Sequence, residues 1–481
     1  MATETGTTGA TTEMADWLEE RRERFVAMAD AIWARPELAL AELYASGLQA
    51  DALAADGFRV TRNVGGMPSA FVAEWGAGSP VIGFLGEYDA LPGLSQRRQP
   101  GQEPIVPDGA GHGCGHNLLG TAALAATMAT KAWLAETGRA GTVRYYGCPA
   151  EETLAGKVYM ARAGVFDDLD AAISWHPSGH NGAWLGSSLA MDNLKFRFRG
   201  RTAHAAAQPD TGRSALDAVE LMNVGANFLR EHVMDSARIH YVITNGGGAP
   251  NVIPDDAEVW YFVRAPKRED VEAITARVRK IAEGAALMTE TSVSENYQTG
   301  AYNVLPNLAL GEVALAAMHE LPPMAFTDEE REYAAAVAAQ FPPEVRARVV
   351  QGNKLPGRVL AQPLLTEIFP PLDVGSVMPG STDVGDVSWI APTVQVVTSC
   401  WAVGVPGHSW GITATCGMSI GHKGMLYAAG AMAGTAATLY TDPAQLEKAQ
   451  AEFQEATNGQ PYRTPLPEGA QPPLPPGIAA P

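Results

Sequence analysis

The chain has 481 residues, 46% of them hydrophobic, and a formal net charge of −19. So much negative charge argues against nucleic acid and against an anionic membrane surface as partners. The length favours two domains over one, and four scattered cysteines without a disulfide spacing suit a reducing compartment.

No segment of the sequence has the pattern of a targeting signal. The N-terminal residues are small and polar rather than apolar, so a signal peptide is not expected. No apolar run reaches the roughly 18 residues that a membrane-spanning helix needs. The sequence therefore predicts a soluble, cytoplasmic protein that begins with a disordered leader over residues 1–16.

The next part of the chain alternates strand-type runs with helical patterns. Apolar periodicity predicts helices over 17–33, 45–56 and 118–136. Short apolar runs predict strands over 71–75, 81–85, 142–146 and 171–175. Four of these runs or turns end in ionisable residues, and in an α/β sheet the sites form beyond the carboxyl ends of the strands. Residues 17–186 are therefore predicted to form the first part of an α/β catalytic domain.

Around Gly186 the pattern changes to that of a second domain. Strands predicted over 194–200, 238–244, 257–263 and 292–298, with helices over 214–232 and 268–286, give the order β-α-β-β-α-β. That order is ferredoxin-like, so residues 187–302 are predicted to be an inserted α+β domain.

The catalytic domain is predicted to resume over 303–455. Its Ala-rich stretch 306–371 is helical by pattern and shows no readable function. A buried strand over 393–398 and a helix over 423–440 complete it. The tail, 456–481, is Pro-rich and is expected to be disordered.

The stretch 111–117, GHGCGHN, is the most informative part of the sequence. Cys114 and His116 alternate in an extended segment, so their side chains project to the same side. A thiolate and an imidazole are good ligands for a zinc-like divalent ion. The alternative is a Gly-rich turn with a buried cysteine and a helix-capping Asn117, and the stretch alone leaves both interpretations open.

Further metal-ligating side chains stand at comparable places. The candidates are Asp89, Glu151, Glu152, His176 and His408. Two ions that share a ligand need more donors than one tetrahedral site supplies. The adjacent glutamates suit a division of labour in which one binds metal and the other serves as a general base. The alternatives are a solvated turn for the glutamates, a core position for His176, and His422 in place of His408.

Five motifs in order carry a family resemblance: EYDALP at 87–92, HGCGH at 112–116, PAEE at 149–152, WHP at 175–177 and GHS at 407–409. Together they resemble the co-catalytic metallohydrolases of the aminoacylase/carboxypeptidase group, in the amidohydrolase branch that includes hippurate hydrolase. The resemblance covers about residues 17–445. It implies an α/β fold: a zinc-peptidase-like catalytic domain with a mixed central sheet flanked by helices, plus an inserted ferredoxin-like lid and dimerisation domain.

The resemblance also implies a role for each matching residue. The implied ligands of two divalent ions, manganese or zinc, are Cys114, His116, Glu152, His176 and His408. Glu151 would be the general base and acid, and Asp89 the carboxylate that orients a ligand. In the lid, His204 would stabilise the oxyanion, commonly in the neighbouring subunit, and Asn251 would help to bind substrate. Asn117 and Trp410 depart from smaller members of the branch, which have Asp and Pro there.

The expected activity is hydrolysis of the amide bond of an N-acyl or N-aroyl amino acid such as p-aminobenzoyl-glutamate. Alternatives are a dipeptidase or aryl-amide hydrolase with the same chemistry, or a non-catalytic metal-binding subunit of a hetero-oligomer. The expected partners are a small-molecule amide and a second copy of the chain, bound through the lid domain.

Overall fold

A computed structural model describes residues 8–481. Its helices are α1 (Thr8–Glu20), α2 (Arg22–Ala34), α3 (Leu43–Ala55), α4 (His116–Thr137), α5 (Gly156–Arg162), α6 (Ala215–Leu229), α7 (Arg268–Thr289), α8 (Leu308–Glu320), α9 (Asp328–Ala338), α10 (Pro343–Gly352), α11 (Val384–Ser388), α12 (Trp410–Cys416), α13 (Ser419–Thr441) and α14 (Pro443–Thr457). Its strands are β1 (Arg59–Arg62), β2 (Phe71–Ala77), β3 (Val81–Glu87), β4 (Gly141–Cys148), β5 (Ala171–Ser178), β6 (Gly182–Trp184), β7 (Ala190–Arg199), β8 (Arg238–Asn245), β9 (Asp256–Ala265), β10 (Ser292–Ala301) and β11 (Thr393–Ser399).

Seven strands form a mixed central sheet in the order β1-β2-β4-β3-β5-β11-β6. The four strands β4, β3, β5 and β11 run parallel, whereas β1, β2 and β6 pair antiparallel with their neighbours. Because the middle strands are covered on both faces, they are almost continuously buried, as in β11. The predicted α/β class with a mixed central sheet is confirmed.

The parallel strands bring their carboxyl ends to one edge of the sheet, where sites form in α/β folds. Glu87 ends β3, Cys148 ends β4, and His176 lies near the end of β5. Helix α4 starts at His116, immediately after Gly115, whose φ of 82° is a left-handed conformation. A side chain at Gly115 would press on Cys416 and Pro177, each 3.1 Å from the added Cβ.

Helix α4 is the central helix of the larger core. Its length and composition are those of a membrane-crossing helix, contrary to the expectation that no such run exists. However, 83% of its most apolar stretch is buried inside the protein. It packs against α13, β3 and α2, which is the position of a core helix.

The second sheet has four antiparallel strands in the order β10-β7-β9-β8, with α6 and α7 packed on it around a separate core. The chain order β7-α6-β8-β9-α7-β10 is the predicted β-α-β-β-α-β, so the ferredoxin-like inserted fold is confirmed. We call this unit the lid. The domain boundaries at 187 and 302 stay predictions.

Two terminal segments differ from prediction. The disordered leader is wrong for residues 8–16, because Ala10, Met14 and Leu18 form a buried stripe on α1 that packs against α13; residues 1–7 lie outside the described part. The predicted helix 17–33 is divided at Arg21 between α1 and α2.

The Pro-rich tail is irregular but ordered against the catalytic domain, so the expectation of disorder is wrong. Leu466 is buried, and the backbone carbonyls of Ala470 and Gln471 accept hydrogen bonds from Arg162 and Tyr159. Proline fixes the tail in an extended form, and side chains of α5 supply the hydrogen-bond donors that it lacks internally.

Candidate metal centre

Side chains from five distant segments converge at the carboxyl edge of the central sheet. Cys114, His116 and His176 form one three-residue group whose potential ligand atoms lie within 4.8 Å of one another. Cys114, Glu152 and His408 form a second such group. The two groups share the Cys114 sulfur, so they belong to one continuous cluster of donor atoms. The structure thus brings together all five residues that the sequence predicts as ligands.

Hydrogen bonds fix the orientation of the two inner imidazoles. The Nδ1 atom of His116 lies 2.9 Å from Asp89 Oδ1, and Nδ1 of His176 lies 2.7 Å from the carbonyl oxygen of Pro177. Each ring donates its Nδ1 proton in this arrangement, which leaves Nε2 free to bind a cation. The Nε2 atom of His176 lies 3.3 Å from the Cys114 sulfur.

Asp89 also positions the neighbouring ligand-bearing turn. Its second oxygen, Oδ2, accepts a hydrogen bond of 2.9 Å from the backbone N–H of Glu152. Although burial alone would raise the pKa of Asp89, the adjacent His116 ring holds it below its ordinary value. Asp89 is therefore an ionised carboxylate that links His116 to Glu152. Contact with a ligand is what the resemblance implies for Asp89.

The donor set fits divalent cations. Within residues 8–481, the His116 Nε2 and Glu152 Oε1 atoms are buried without a hydrogen-bond partner, which is costly for polar atoms in a site otherwise well bonded. Burial raises the pKa of the Cys114 thiol, and it raises the pKa of Glu152 to about 7. A bound cation reverses such shifts, because it favours the thiolate and the carboxylate.

Glu151 stands beside this cluster without belonging to either Cys114 group. It lines the same cavity, and it forms a further acidic and imidazole group with Glu87 and His116. Burial, together with the nearby Glu87 and Glu152 carboxylates, raises the pKa of Glu151 well above its ordinary value. A carboxyl with a raised pKa next to a hydrolytic site is suited to proton transfer.

A buried ionic network lies next to the cluster, and the sequence prediction missed it. The Lys157 Nζ atom lies 2.6 Å from Glu87 Oε1 and 2.5 Å from Asp383 Oδ1, and none of these side chains is more than 2% exposed. Burial alone would lower the pKa of Lys157, but the two carboxylates hold it well above its ordinary value. Glu87 in turn lies 3.5 Å from His116 Nε2.

Two signals could have pointed to this network. Glu87 stands two residues before Asp89 at the end of the same strand, and Asp383 lies in the unusual stretch GSTDVGD at 380–386. Nothing local in the sequence marks Lys157, whose partners become visible only in the folded chain.

A cavity of about 580 Å³ opens onto the cluster between the central sheet and the lid. Cys114, Glu151, Glu152, His176 and His408 line its metal-binding end. Arg264 of β9 lines it from the lid, and its Nε atom is buried without a partner in the described part of the chain. Burial lowers the pKa of this guanidinium. An anionic group of a ligand would satisfy it, yet the sequence prediction did not single it out.

The two predicted lid residues lie together but outside this cavity. His204 is exposed, and its Nδ1 accepts hydrogen bonds from the backbone N–H groups of Ala206 and Ala207. The carbonyl of Asn251 accepts a bond of 3.0 Å from the Ala205 N–H. Neither residue reaches the cluster of its own chain, so their roles stay predictions.

Comparison with known proteins finds similarity to peptidases and to a subunit of an amide hydrolase. A family model described as a peptidase dimerisation domain matches residues 190–290. The B subunit of p-aminobenzoyl-glutamate hydrolase from Escherichia coli K12 is 46% identical over 95% of this chain and 97% of its own length. The Xaa-Arg dipeptidase of Mus musculus is 35% identical over 62% of this chain and 68% of its own.

A solved structure has the same fold. It is a dinuclear metal-binding peptidase of the M20 family from Bacillus subtilis, with a TM-score of 0.55 and 19% identity over 88% of this chain and 99% of its own.

Proposed function

Because this chain belongs to the M20 peptidase family, together with the B subunit of p-aminobenzoyl-glutamate hydrolase, we propose that it hydrolyses the amide bond of N-acyl or N-aroyl amino acids. The observation that carries the proposal is the pair of three-residue donor groups that share Cys114, with Glu151 beside them. Such an arrangement serves amide hydrolysis better than binding alone, since it includes a half-buried carboxyl outside both Cys114 groups.

Two divalent ions would be held by these residues, one by Cys114, His116 and His176 and the other by Cys114, Glu152 and His408. When bound, such a pair polarises the scissile carbonyl and acidifies a water molecule. The thiolate and the imidazoles favour zinc, whereas carboxylate-containing sites also take manganese.

The chain's own residues move the proton. Glu151 takes a proton from the attacking water and later delivers it to the leaving amine nitrogen, so the same carboxyl acts first as base and then as acid. Its raised pKa suits the second step. Asp89 keeps His116 oriented and fixes the backbone of Glu152, which positions the turn on which Glu151 stands.

The cavity supports an anionic substrate with an aromatic part. Arg264 offers an unpaired guanidinium, which binds a carboxylate in a two-pronged manner. Aromatic side chains also line the cavity: Trp184, Phe262, Phe369 and Trp401. A volume of about 580 Å³ is that of a small-molecule site. An N-aroyl amino acid has both features.

The lid supports a dimer. Its outer surface exposes large apolar side chains, among them Phe228 at 72% and Leu287 at 82%, and β8 is an edge strand with Val242 and Ile243 exposed. Exposed large apolar side chains and an open strand edge are features of interaction sites. A dimer would allow His204 and Asn251 to reach the cavity of the neighbouring subunit. The E. coli relative is one of two kinds of subunit of its hydrolase, which supports a hetero-oligomer as the alternative. Four free cysteines suit a reducing cytoplasm.

A dipeptidase activity is the second candidate, because the mouse Xaa-Arg dipeptidase is a relative. The unpaired Arg264 disfavours it, since a second basic side chain in the cavity would be repelled. A panel of p-aminobenzoyl-glutamate, hippurate and dipeptides ending in arginine separates the two. Preference for the arginine peptides would overturn the proposed substrate class.

The proposal is tested with the variant Glu151→Gln. We expect its metal content to equal that of the parent, because Glu151 belongs to neither Cys114 group. We expect kcat to fall about 10²- to 10⁴-fold, because the proton carrier is lost. Metal analysis of the purified chain, run with an amide-hydrolysis assay, measures both. Glu312→Gln on the exposed surface of α8 is the matched control. A Glu151→Gln enzyme with near-normal turnover would refute the assignment.

A further inference from the structure

The charged side chains that line the cavity divide into paired and unpaired groups. The acidic ones are all engaged: Glu151 and Glu152 belong to the metal centre, and both oxygens of Asp373 accept backbone N–H groups of Leu185 and Gly186 at 2.8–3.2 Å. The two strong cations are Arg264 and Lys354. Within residues 8–481, neither forms an ion pair with a carboxylate.

Lys354 lies in the Ala-rich helical stretch 306–371, for which the sequence shows no readable function. It follows the C-terminus of α10 in a left-handed conformation, with φ of 55°. That conformation is unfavourable for a lysine, so the surrounding structure must hold it. The carbonyls of Gln351 and Val350 accept the N–H groups of Lys354 and of the next residue, each at 3.0 Å.

The residue after Lys354 anchors the segment. Leu355 is buried in a small hydrophobic cluster with Val350, Val359, Phe369 and Val403. The backbone of Lys354 is therefore fixed, whereas its ammonium group stays exposed and has one hydrogen bond, to the Ser376 hydroxyl. Ser376 also lines the cavity. A strained, anchored cation with a neutral partner at a cavity wall is arranged to meet an anion.

We propose that Lys354 is a specificity-determining residue: it binds the side-chain carboxylate of a substrate whose amino acid is dicarboxylic, and it thereby favours such substrates over their neutral analogues. This inference rests on the proposed amide hydrolysis and deepens it. Arg264 would take one carboxylate through its planar fork, and Lys354 would take the side-chain carboxylate as a point charge. The chain carries a net charge of −19, so a dianionic substrate needs such local cations to overcome the general repulsion.

The test compares two substrates that differ by one charge, p-aminobenzoyl-glutamate and p-aminobenzoyl-glutamine, on the metal-loaded full chain. In Lys354→Met we expect kcat/KM for the glutamate compound to fall about 10- to 100-fold, as for a lost charged hydrogen bond. The value for the glutamine compound should not change. Lys354→Arg should retain most of the glutamate preference. The control is Lys448→Met, on α14 away from the cavity lining, whose lysine pairs with Glu312.

Failure of the inference differs from failure of the proposed function. A parent enzyme without preference for the glutamate compound, or a Lys354→Met variant that loses both substrates equally, overturns the inference and leaves amide hydrolysis standing. A parent that hydrolyses neither of these compounds nor hippurate overturns the proposed function. In that case calorimetry decides the inference: the Kd for L-glutamate should rise at least tenfold in Lys354→Met, while an unchanged Kd overturns it.

Discussion

Asp386 is a buried carboxyl whose environment makes stability depend on pH. Its Oδ1 accepts the Tyr462 hydroxyl at 2.7 Å, and its Oδ2 accepts the Tyr302 N–H at 3.1 Å. Burial, opposed by these hydrogen bonds, raises the pKa of Asp386 from 3.8 to about 7. The nearby charges of Asp383 and Arg268 act in opposite directions. The contact with Tyr462 also ties the C-terminal tail to the catalytic domain.

The sign of the pH effect follows from the raised pKa. Between about pH 4 and pH 7 the folded protein keeps a proton on Asp386 that the unfolded chain has lost. The contribution of this group to the free energy of unfolding therefore falls as the pH rises through that window. Above about pH 7 the folded and the unfolded chain have both lost this proton. The stabilising contribution of Asp386 is then absent and no longer changes with pH.

We expect Asp386→Asn to remove this dependence, because an amide does not titrate. Relative to the parent, the free energy of unfolding of the variant should rise by about 3 kcal/mol between pH 5 and pH 8, at about 1.4 kcal/mol per pH unit. Urea unfolding at the two pH values measures it. Asp51→Asn, at an exposed ion pair with Arg62, is the control and should follow the parent. An unchanged difference between Asp386→Asn and the parent at both pH values would contradict the assignment.

At the scale of elements, the turn that bears Glu151 and Glu152 is held in its conformation by side chains of other segments. Ala150 and Leu154 have left-handed φ values of 57° and 56° on either side of a single 3₁₀ turn. Glycine is absent at both positions, so neighbouring segments must maintain the conformation. Asp89 holds the Glu152 N–H, and Glu42 holds the Ala150 N–H at 2.8 Å.

Glu42 is the residue immediately before α3, and its side chain is fully buried. Its other oxygen accepts the Ser69 hydroxyl at 2.9 Å. Burial, and then the charge of Asp89, raise the pKa of Glu42 to about 8. A protonated carboxyl still accepts the Ala150 N–H through its carbonyl oxygen, so the hold on the turn does not require the charge.

We expect Glu42→Leu to lower kcat about 10- to 100-fold with KM and metal content unchanged, because the turn would shift Glu151 and leave the shape of the cavity intact. Glu42→Gln should recover most of the rate, since its amide oxygen can accept the same N–H. Steady-state kinetics and metal analysis of both variants give the comparison. Loss of metal in Glu42→Leu, or equal damage in Glu42→Gln, would instead assign Glu42 a general structural role.

At the scale of the whole molecule, the cavity is lined by one face of the lid, while His204 and Asn251 lie at a lid tip beyond it. Phe262 and Arg264 of β9 line the cavity of their own chain. Elsewhere the lid exposes apolar side chains on α6, α7 and the edge strand β8, and these favour a dimer. The two locations fit a dimer in which each lid tip serves the neighbouring cavity.

Subunit complementation tests this arrangement. His204→Ala and Glu151→Gln should each be inactive alone. When the two are co-expressed, half of the dimers are mixed, and each mixed dimer contains one complete site. The preparation should therefore show about a quarter of the parent activity. Parent chains that are expressed and purified in the same way are the control. A mixture as inactive as its components would mean that His204 does not act across the interface.

The sequence by itself determined the chemistry of the candidate site and the order of its parts. Donors that suit a metal centre, at Cys114, His116, Glu152, His176 and His408, are visible because they stand in short motifs after strand-type runs. The β-α-β-β-α-β order of the lid is visible because the period of apolar residues changes between strand and helix. Both signals are local, so they survive without knowledge of the fold.

Only the tertiary structure decided which residues meet. Lys157 bonds Asp383 across 226 positions and Glu42 bonds Ala150 across 108, and no local pattern encodes such pairs. The amphipathic stripe of α1 and the Pro-rich tail became ordered because partners elsewhere in the chain bury or bond them. Burial and hydrogen bonding depend on what lies opposite a residue, and in this protein the opposite residue usually comes from a distant segment.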